Sequence, residues 1–342
     1  MSDASATDAR LEGANIGVGT VGAGCWFSFD GGGKFRHVYR HINPEGNVRA
    51  MVISPHDPAR VYAVSDRAGL FSSPDRGYMW EPVNTDLPAQ ELWSLAVHPT
   101  EPDTLFVGGR PGLFRSRDGG ATFDELPTTL GPNCPIGVPR VTNIVIDPLE
   151  PQHMWMGVEV DGVYRSTDGG DSWNHLPGLG ETPFHDDIHG LALRRDTAGT
   201  AQLLASTPFG LATSDDGGEQ WSWREFGGFD KGSKNPYAYC RGVFVWPGDP
   251  QTVLIGCGDY IPGRVGAVEV SRDGGASFER ATMSHEPNST VYWMATHPDL
   301  PGKVVAASVF GQVFVSDDAG SNWDKLDREF GEIRSVTLTP AG

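Results

Sequence analysis

The chain has 342 residues, with 26 Lys and Arg against 44 Asp and Glu, giving a formal net charge of −18 at neutral pH. That acidity works against nucleic acid and anionic membrane surfaces as partners, and no stretch is apolar enough to span a bilayer as a helix. The 45 Gly and 26 Pro residues suit many short strands joined by tight turns.

Residues 1–13 are polar and acidic, with neither the basic nor the apolar segment of a secretory signal. They read as a disordered leader before a single domain over residues 14–342, and the cytoplasm is the expected compartment. Cys25, Cys134, Cys240 and Cys257 lack metal-ligand spacing. Cys240 and Cys257 are expected to oppose each other across one hairpin, as reduced thiols in that compartment. The acceptor sequence at Asn288 has meaning only in a secreted protein.

Strands are expected over 16–21, 25–28 and 35–39, three strands with no innermost partner before them. The missing partner is at the other end of the chain, where 333–339 reads as a strand just before Pro340. Between these ends a turn of the form Ser-x-Asp-x-Gly-x-x-aromatic occurs seven times, at 28–35, 73–80, 116–123, 166–173, 214–221, 271–278 and 316–323. Successive Asp residues are 43 to 57 positions apart. A four-strand unit at that period is a β-propeller blade, which buries its faces only against its neighbours. In the turn, Asp and Ser can bond local backbone groups, Gly supplies positive φ, and the aromatic side chain packs between blades.

The fold class is therefore all-β, a single seven-bladed β-propeller. Its last blade is closed by the C-terminal strand joining the three N-terminal strands. Blades one to six share a grammar: an innermost strand ends in a Pro turn, a second apolar strand follows, and a Gly turn leads to the third strand and the repeated turn. Blade four replaces the Pro turn with a stretch beginning Arg194-Arg195. His56, His98 and His297 lie in the Pro turns and read as structural.

The repeated turn resembles the Asp-box, or bacterial neuraminidase repeat, shared by sialidases, sortilin ectodomains, some xyloglucan-active glycoside hydrolases and photosystem II assembly factors. The resemblance implies the propeller and leaves the chemistry open, because these families have unrelated activities. Sialidases hold a substrate carboxylate with three arginines. Their propellers have six blades, however, and no Arg-Ile-Pro signature stands near this N-terminus.

Insertions fall at 127–139, 177–186, 226–237 and 258–266, in loops expected on one face of the ring, opposite the Asp-boxes and Pro turns. Loops on a rigid scaffold carry function disproportionately, so a site is expected there, around the central channel. Aligning the innermost strands on their terminal Pro, with Arg195 standing in for it in blade four, gives three levels. Six residues before it stand Arg49, Trp93, Thr142, His189, Arg241, Tyr292 and Arg334. Two residues earlier stand Asn47, Glu91, Arg140, Asp187, Tyr239, Thr290 and Glu332. Four before it stand Met51, Leu95, Ile144, Leu191, Val243, Met294 and Val336, an apolar set expected in the blade interfaces. The polar sets are then expected to crowd the channel mouth.

The candidate substrate-binding residues are Arg49, Arg140, Arg241, Arg334, Tyr292, Trp93, Asp259 and Arg264. Arginine forks suit a carboxylate or phosphate, and aromatic side chains stack on a sugar or flat ring. The arginines could equally pair with Glu91, Glu332 or Asp187 to line a wet channel. His185, Asp187 and His189 alternate on an expected strand and would share a face. They read as ligands of one divalent metal ion, as a metal-free site in which Asp187 orients His189 as base, with Tyr239 as a third catalytic residue, or as purely structural residues. For a glycosidase pair, Asp187, Asp259, Glu159 and Asp161 are available. Two functions remain open. One is a cytoplasmic small-molecule enzyme, a hydrolase or lyase directed at a glycoside or carboxylate, with a small polar or anionic molecule as partner. The other is a non-catalytic propeller that binds a ligand or protein.

Overall fold

The computed structural model describes residues 10–66, 69–84, 86–87, 91–196, 198–229 and 237–342. Among them the strands assemble into seven sheets, each a four-stranded antiparallel meander. The blade six sheet gains a fifth strand where Thr282–Met283 runs parallel to Asn322–Lys325. No helix is long and apolar enough to cross a membrane. The closing blade has the order Ile333–Pro340, Ala14–Thr20, Cys25–Ser28, Phe35–Val38. Its C-terminal strand pairs antiparallel with the N-terminal one, from Ala14 opposite Pro340 to Thr20 opposite Ile333.

No sheet has a core of its own. The apolar clusters lie between blades: Ile16, Val18 and Ile333 of the closing blade pack with Val305, Val313 and Val315 of blade six. On its other side Cys25, Phe27 and Val38 pack with Val48, Val61 and Trp80 of blade one. Leu11 is 1% exposed in the first of these clusters, and its N–H donates to the Gly31 carbonyl over 2.9 Å. The stretch read as a leader thus contributes a core residue before position 13; residues 1–9 lie outside the described residues, as do 230–236 of the insertion at 226–237. Cys240 and Cys257 stand opposite each other in register as buried free thiols.

All seven Asp-boxes form the expected turn. In blade three the Ser166 hydroxyl donates to Asp168 Oδ1 over 2.7 Å and accepts the Gly170 N–H over 2.9 Å, while the Ser172 N–H donates to Asp168 Oδ1 over 2.9 Å. The glycine at the fifth position of the box has two reasons to be there. Gly77 sits at φ 97°, and a Cβ on it would fall 2.3 Å from the Phe27 ring of the preceding blade. The box therefore also seats one blade against another. Where blade four lacks its Pro turn, Arg195 reaches back to Asp147 over 2.5 Å and to Glu150 over 3.1 Å, in blade three.

The innermost strands depart from simple alternation at one repeated place. Their register with the second strand slips between Val48 and Ala50, Leu92 and Ser94, Val141 and Asn143, Cys240 and Gly242, and Val291 and Trp293. In the closing blade Ser335 and Ile333 pair with consecutive residues, so Arg334 is skipped. The skipped residues Arg49, Trp93, Thr142, Arg241, Tyr292 and Arg334 are the upper polar level, so each stands on a β-bulge, a device that re-aims a side chain. In blade four the strand begins at Gly190, and both it and the His189 N–H address Ser206. The apolar set is in the blade interfaces as expected, with Met51, Leu95, Leu191, Val243, Met294 and Val336 buried in the inter-blade clusters and Ile144 packed against one, and all seven also line the central cavity. The innermost strand is the one that faces the axis, so its residues serve both surfaces.

Two outcomes follow. A chain ending at Arg328 loses the innermost closing strand and bares the edge of Ala14–Thr20; it should be insoluble or melt many degrees lower, as calorimetry or a solubility assay would show. Hydrogen bonds hold the Asp168 carboxyl at about 2, with the Ser172 hydroxyl the largest cause. Its folded value lies below the unfolded one, so its stabilisation is present above about pH 4 and is lost as pH falls through about 2. Asp168→Ala should lower Tm by about 2–4 °C at pH 7, and the gap from wild type should close between pH 4 and pH 2.

Candidate functional site

Bulging brings the polar residues together at one end of the central channel. Below them is a cavity of about 380 Å³, lined by both the upper polar level and the apolar belt. Between the polar residues is a neck of about 20 Å³, lined by Arg49, Trp93, Thr142, Glu159, His189, Arg241, Trp293 and Arg334.

Three of the five candidate arginines have a carboxylate partner. Arg49 grips Asp66 Oδ2 through Nε and Nη2, each at 2.7 Å. Arg140 pairs with Glu159, and Arg334 with Glu332. Glu91 pairs with Arg110 at 3.1 Å, and that bond holds the Glu91 carboxyl below the usual carboxylate range. Trp93 is sandwiched, with the Arg49 and Arg140 guanidinium carbons each 4.4 Å from its ring centre. Arg241 differs. Its guanidinium lies 4.6 Å from the centre of the Tyr292 ring, and it makes no ion pair or side-chain hydrogen bond among the described residues.

The residues read as catalytic are assembled. His189, 6% exposed, turns Nδ1 to the Cys240 carbonyl at 2.8 Å, which fixes a proton there. Its Nε2 lies 3.0 Å from Asp187 Oδ2 and 3.2 Å from the Tyr239 hydroxyl. Burial first, and then the Arg241 cation, hold the imidazole below its ordinary value. Burial pushes the Asp187 carboxyl up, but His189 and Arg241 outweigh it and leave it below the usual range. A proton taken up between Nε2 and Oδ2 would belong to both, so the two groups titrate as a unit. Burial raises the Tyr239 hydroxyl, which stays neutral and can donate.

The metal set is not brought together. Pro183–Asp186 forms a 3₁₀ turn rather than the expected strand, so residues 185, 187 and 189 do not alternate on one face. His185 stacks on Phe209 at 4.5 Å, meets Trp223 edge-on at 5.1 Å and takes the Thr182 N–H on Nδ1. Both His189 nitrogens are already engaged. Among the described residues Asp147, Glu150 and His153 do gather, on the Pro-turn side, where Arg195 occupies the two carboxylates. Asp259 and Arg264 are not at the channel either. Asp259 Oδ1 accepts the N–H groups of Arg264 at 2.8 Å and Val265 at 3.3 Å, which shapes the 258–266 loop, and the Arg264 side chain is exposed.

Asp66 and Arg110 were missed as partners. Asp66 and Glu159 stand just past the second strand and Arg110 is its last residue, and the Asp66 and Glu159 N–H groups donate to the equivalent carbonyls of Asn47 and Arg140. Aligning second strands as the innermost ones were aligned would have found them.

The ion pairs make opposite demands on the arginines. Arg49→Ala would leave the Asp66 carboxylate, 7% exposed, without its cation, and should cost about 3 kcal/mol or more. Arg241→Gln breaks no ion pair and should change stability by less than about 1 kcal/mol. Denaturant titration of the two variants checks the contrast.

Residues 23–126 match the sequence profile of the family described as Sortilin, neurotensin receptor 3. A probable oligoxyloglucan-reducing end-specific xyloglucanase of Neosartorya fischeri is 28% identical over 294 residues, covering 71% of this chain and 35% of its own length. The chain thus spans about a third of that relative. Among solved structures, the xyloglucanase of Xanthomonas campestris superposes with a TM-score of 0.63 at 20% identity, over 93% of this chain and 53% of that one. YCF48 of Cyanidioschyzon merolae superposes with a TM-score of 0.58 at 18% identity, over 86% of this chain and 95% of that one.

Proposed function

We propose, from its channel mouth and from its similarity to Asp-box propellers that range from hydrolases to binding modules, that the chain is a hydrolase acting on a polar oligosaccharide. The observation that carries this reading is the fate of the four carboxylates available for a glycosidase pair. Asp259 is spent on its own loop, and Asp161 accepts the Tyr164 hydroxyl at 2.9 Å. Asp187 and Glu159 remain, and both act electrostatically on Arg241.

Two carboxyls about one site are what glycoside hydrolysis needs: one gives a proton to the leaving oxygen, and the other assists attack at the sugar carbon, so that water is added across the bond. Asp187 suits the proton-transferring role. Its Oδ2 titrates as a unit with His189, whose ring is held by the Cys240 carbonyl and the Tyr239 hydroxyl. Glu159 lines the neck, and its charge is supported by Arg140. The xyloglucanase relative supports the reaction class.

A second reading, a non-catalytic binding propeller, is favoured by the pairing of the other mouth carboxylates with arginines. The two are separated by incubating the protein with xyloglucan oligosaccharides and measuring reducing ends. Turnover is expected. Asp187→Asn and Glu159→Gln should each lower kcat by about 10²–10⁴-fold, while Arg264→Ala stays near wild type. Oligosaccharide binding without turnover would put the binding module in place of the hydrolase.

A further inference from the structure

We propose that the central channel holds a small amphiphilic carboxylate, with its head group on Arg241 and its apolar body along the belt beneath. The head group shares the neck with Glu159, but the inference does not depend on the hydrolase reading, because it is tested by binding and not by turnover.

The head group is indicated by hydrogen-bonding groups left over at the neck. Arg241 makes no ion pair among the described residues, although the Asp187 and Glu159 charges act on it, and its contact with the Tyr292 ring leaves its N–H groups unused. The buried Nε1 atoms of Trp93 and Trp293, the Tyr292 hydroxyl and Arg334 Nε also have no hydrogen-bond partner. Indole and guanidinium N–H groups only donate, so these three cannot satisfy one another, and the Tyr292 hydroxyl is the sole acceptor among the four groups. Glu159 is the carboxylate that lines the neck, and Arg140 already neutralises it. Asp187 also keeps one buried oxygen without a partner, but that residue does not line the neck. Buried donors left unmade are costly, and a carboxylate accepts from a guanidinium and indoles at once through two oxygens.

The body is indicated by what lies below. The cavity of about 380 Å³ is floored by Leu95, Leu191, Val243, Met294 and their counterparts in the other blades. That size is within the range in which proteins hold small molecules, and a few polar groups over an apolar lining is the usual pattern of such pockets. A hydroxyl-rich sugar acid would place hydroxyls against the belt without partners, which is unfavourable. An alkyl or aryl chain would gain from the same surface.

Calorimetric titration of the wild-type protein with hexanoate and benzoate tests both halves. At least one should bind with one site per chain. Hexanamide, which lacks the charge, and acetate, which lacks the body, should each bind at least about 10-fold more weakly. Arg241→Gln should weaken hexanoate about 10-fold or more while leaving hexanamide unchanged, and Leu191→Asn should weaken hexanoate more than acetate. The proposal is overturned if neither hexanoate nor benzoate binds, if acetate or glucuronate binds as tightly as they do, or if Arg241→Gln binds hexanoate like the wild type. Should Arg241→Gln fail to fold, the hexanoate and hexanamide comparison on wild type decides. Because the readout is binding, failure to hydrolyse oligosaccharides leaves this result untouched.

Discussion

A four-stranded sheet with two apolar faces cannot stand in water alone, and in this chain each face is covered only by the next blade. Trp80 and Phe27 belong to different blades yet share one cluster, as do Trp323 and Leu254. Burial of this kind is worth roughly 25 cal/mol per Å², but only if the ring closes, because an open ring would leave two faces wet. The pairing of Ile333–Pro340 with Ala14–Thr20 supplies that closure with backbone hydrogen bonds. The Asp-boxes then set the spacing, because their glycines let one turn press on the blade before it.

The architecture was legible because it rests on local chemistry. Ser, Asp and Gly at fixed spacing make the same turn wherever they stand, and a strand without an innermost partner at one end of the chain has its match at the other. Pro turns likewise gave the register of the innermost strands well enough to put Arg49, Trp93, His189, Arg241 and Arg334 at one level. Tyr239, Asp187 and His189 came together as read.

What was not legible depends on hydrogen-bond register and on partners distant in sequence. The bulge in six of the seven innermost strands leaves no mark in composition, so the apolar set was assigned to the interfaces alone. His185 was placed on a strand because its spacing alternates, but Pro183 begins a 3₁₀ turn there and sends the ring against Phe209 and Trp223. Asp259 looked available because a carboxylate in a long loop usually is; its oxygen is taken by the loop's own N–H groups. Asp66 escaped notice because its importance comes from Arg49, on the neighbouring strand.

The repeated bulge has a consequence for how such a protein changes over time. A skipped residue contributes no rung to its ladder, so what fixes its identity is its side-chain partner, as Asp66 is for Arg49, and not the pairing of its blade. The seven positions already hold Arg, Trp, Thr, His, Arg, Tyr and Arg on nearly equivalent backbone. The ring therefore works as a set of interchangeable sockets, in which the recognition surface can be rewritten one blade at a time while the scaffold is inherited intact.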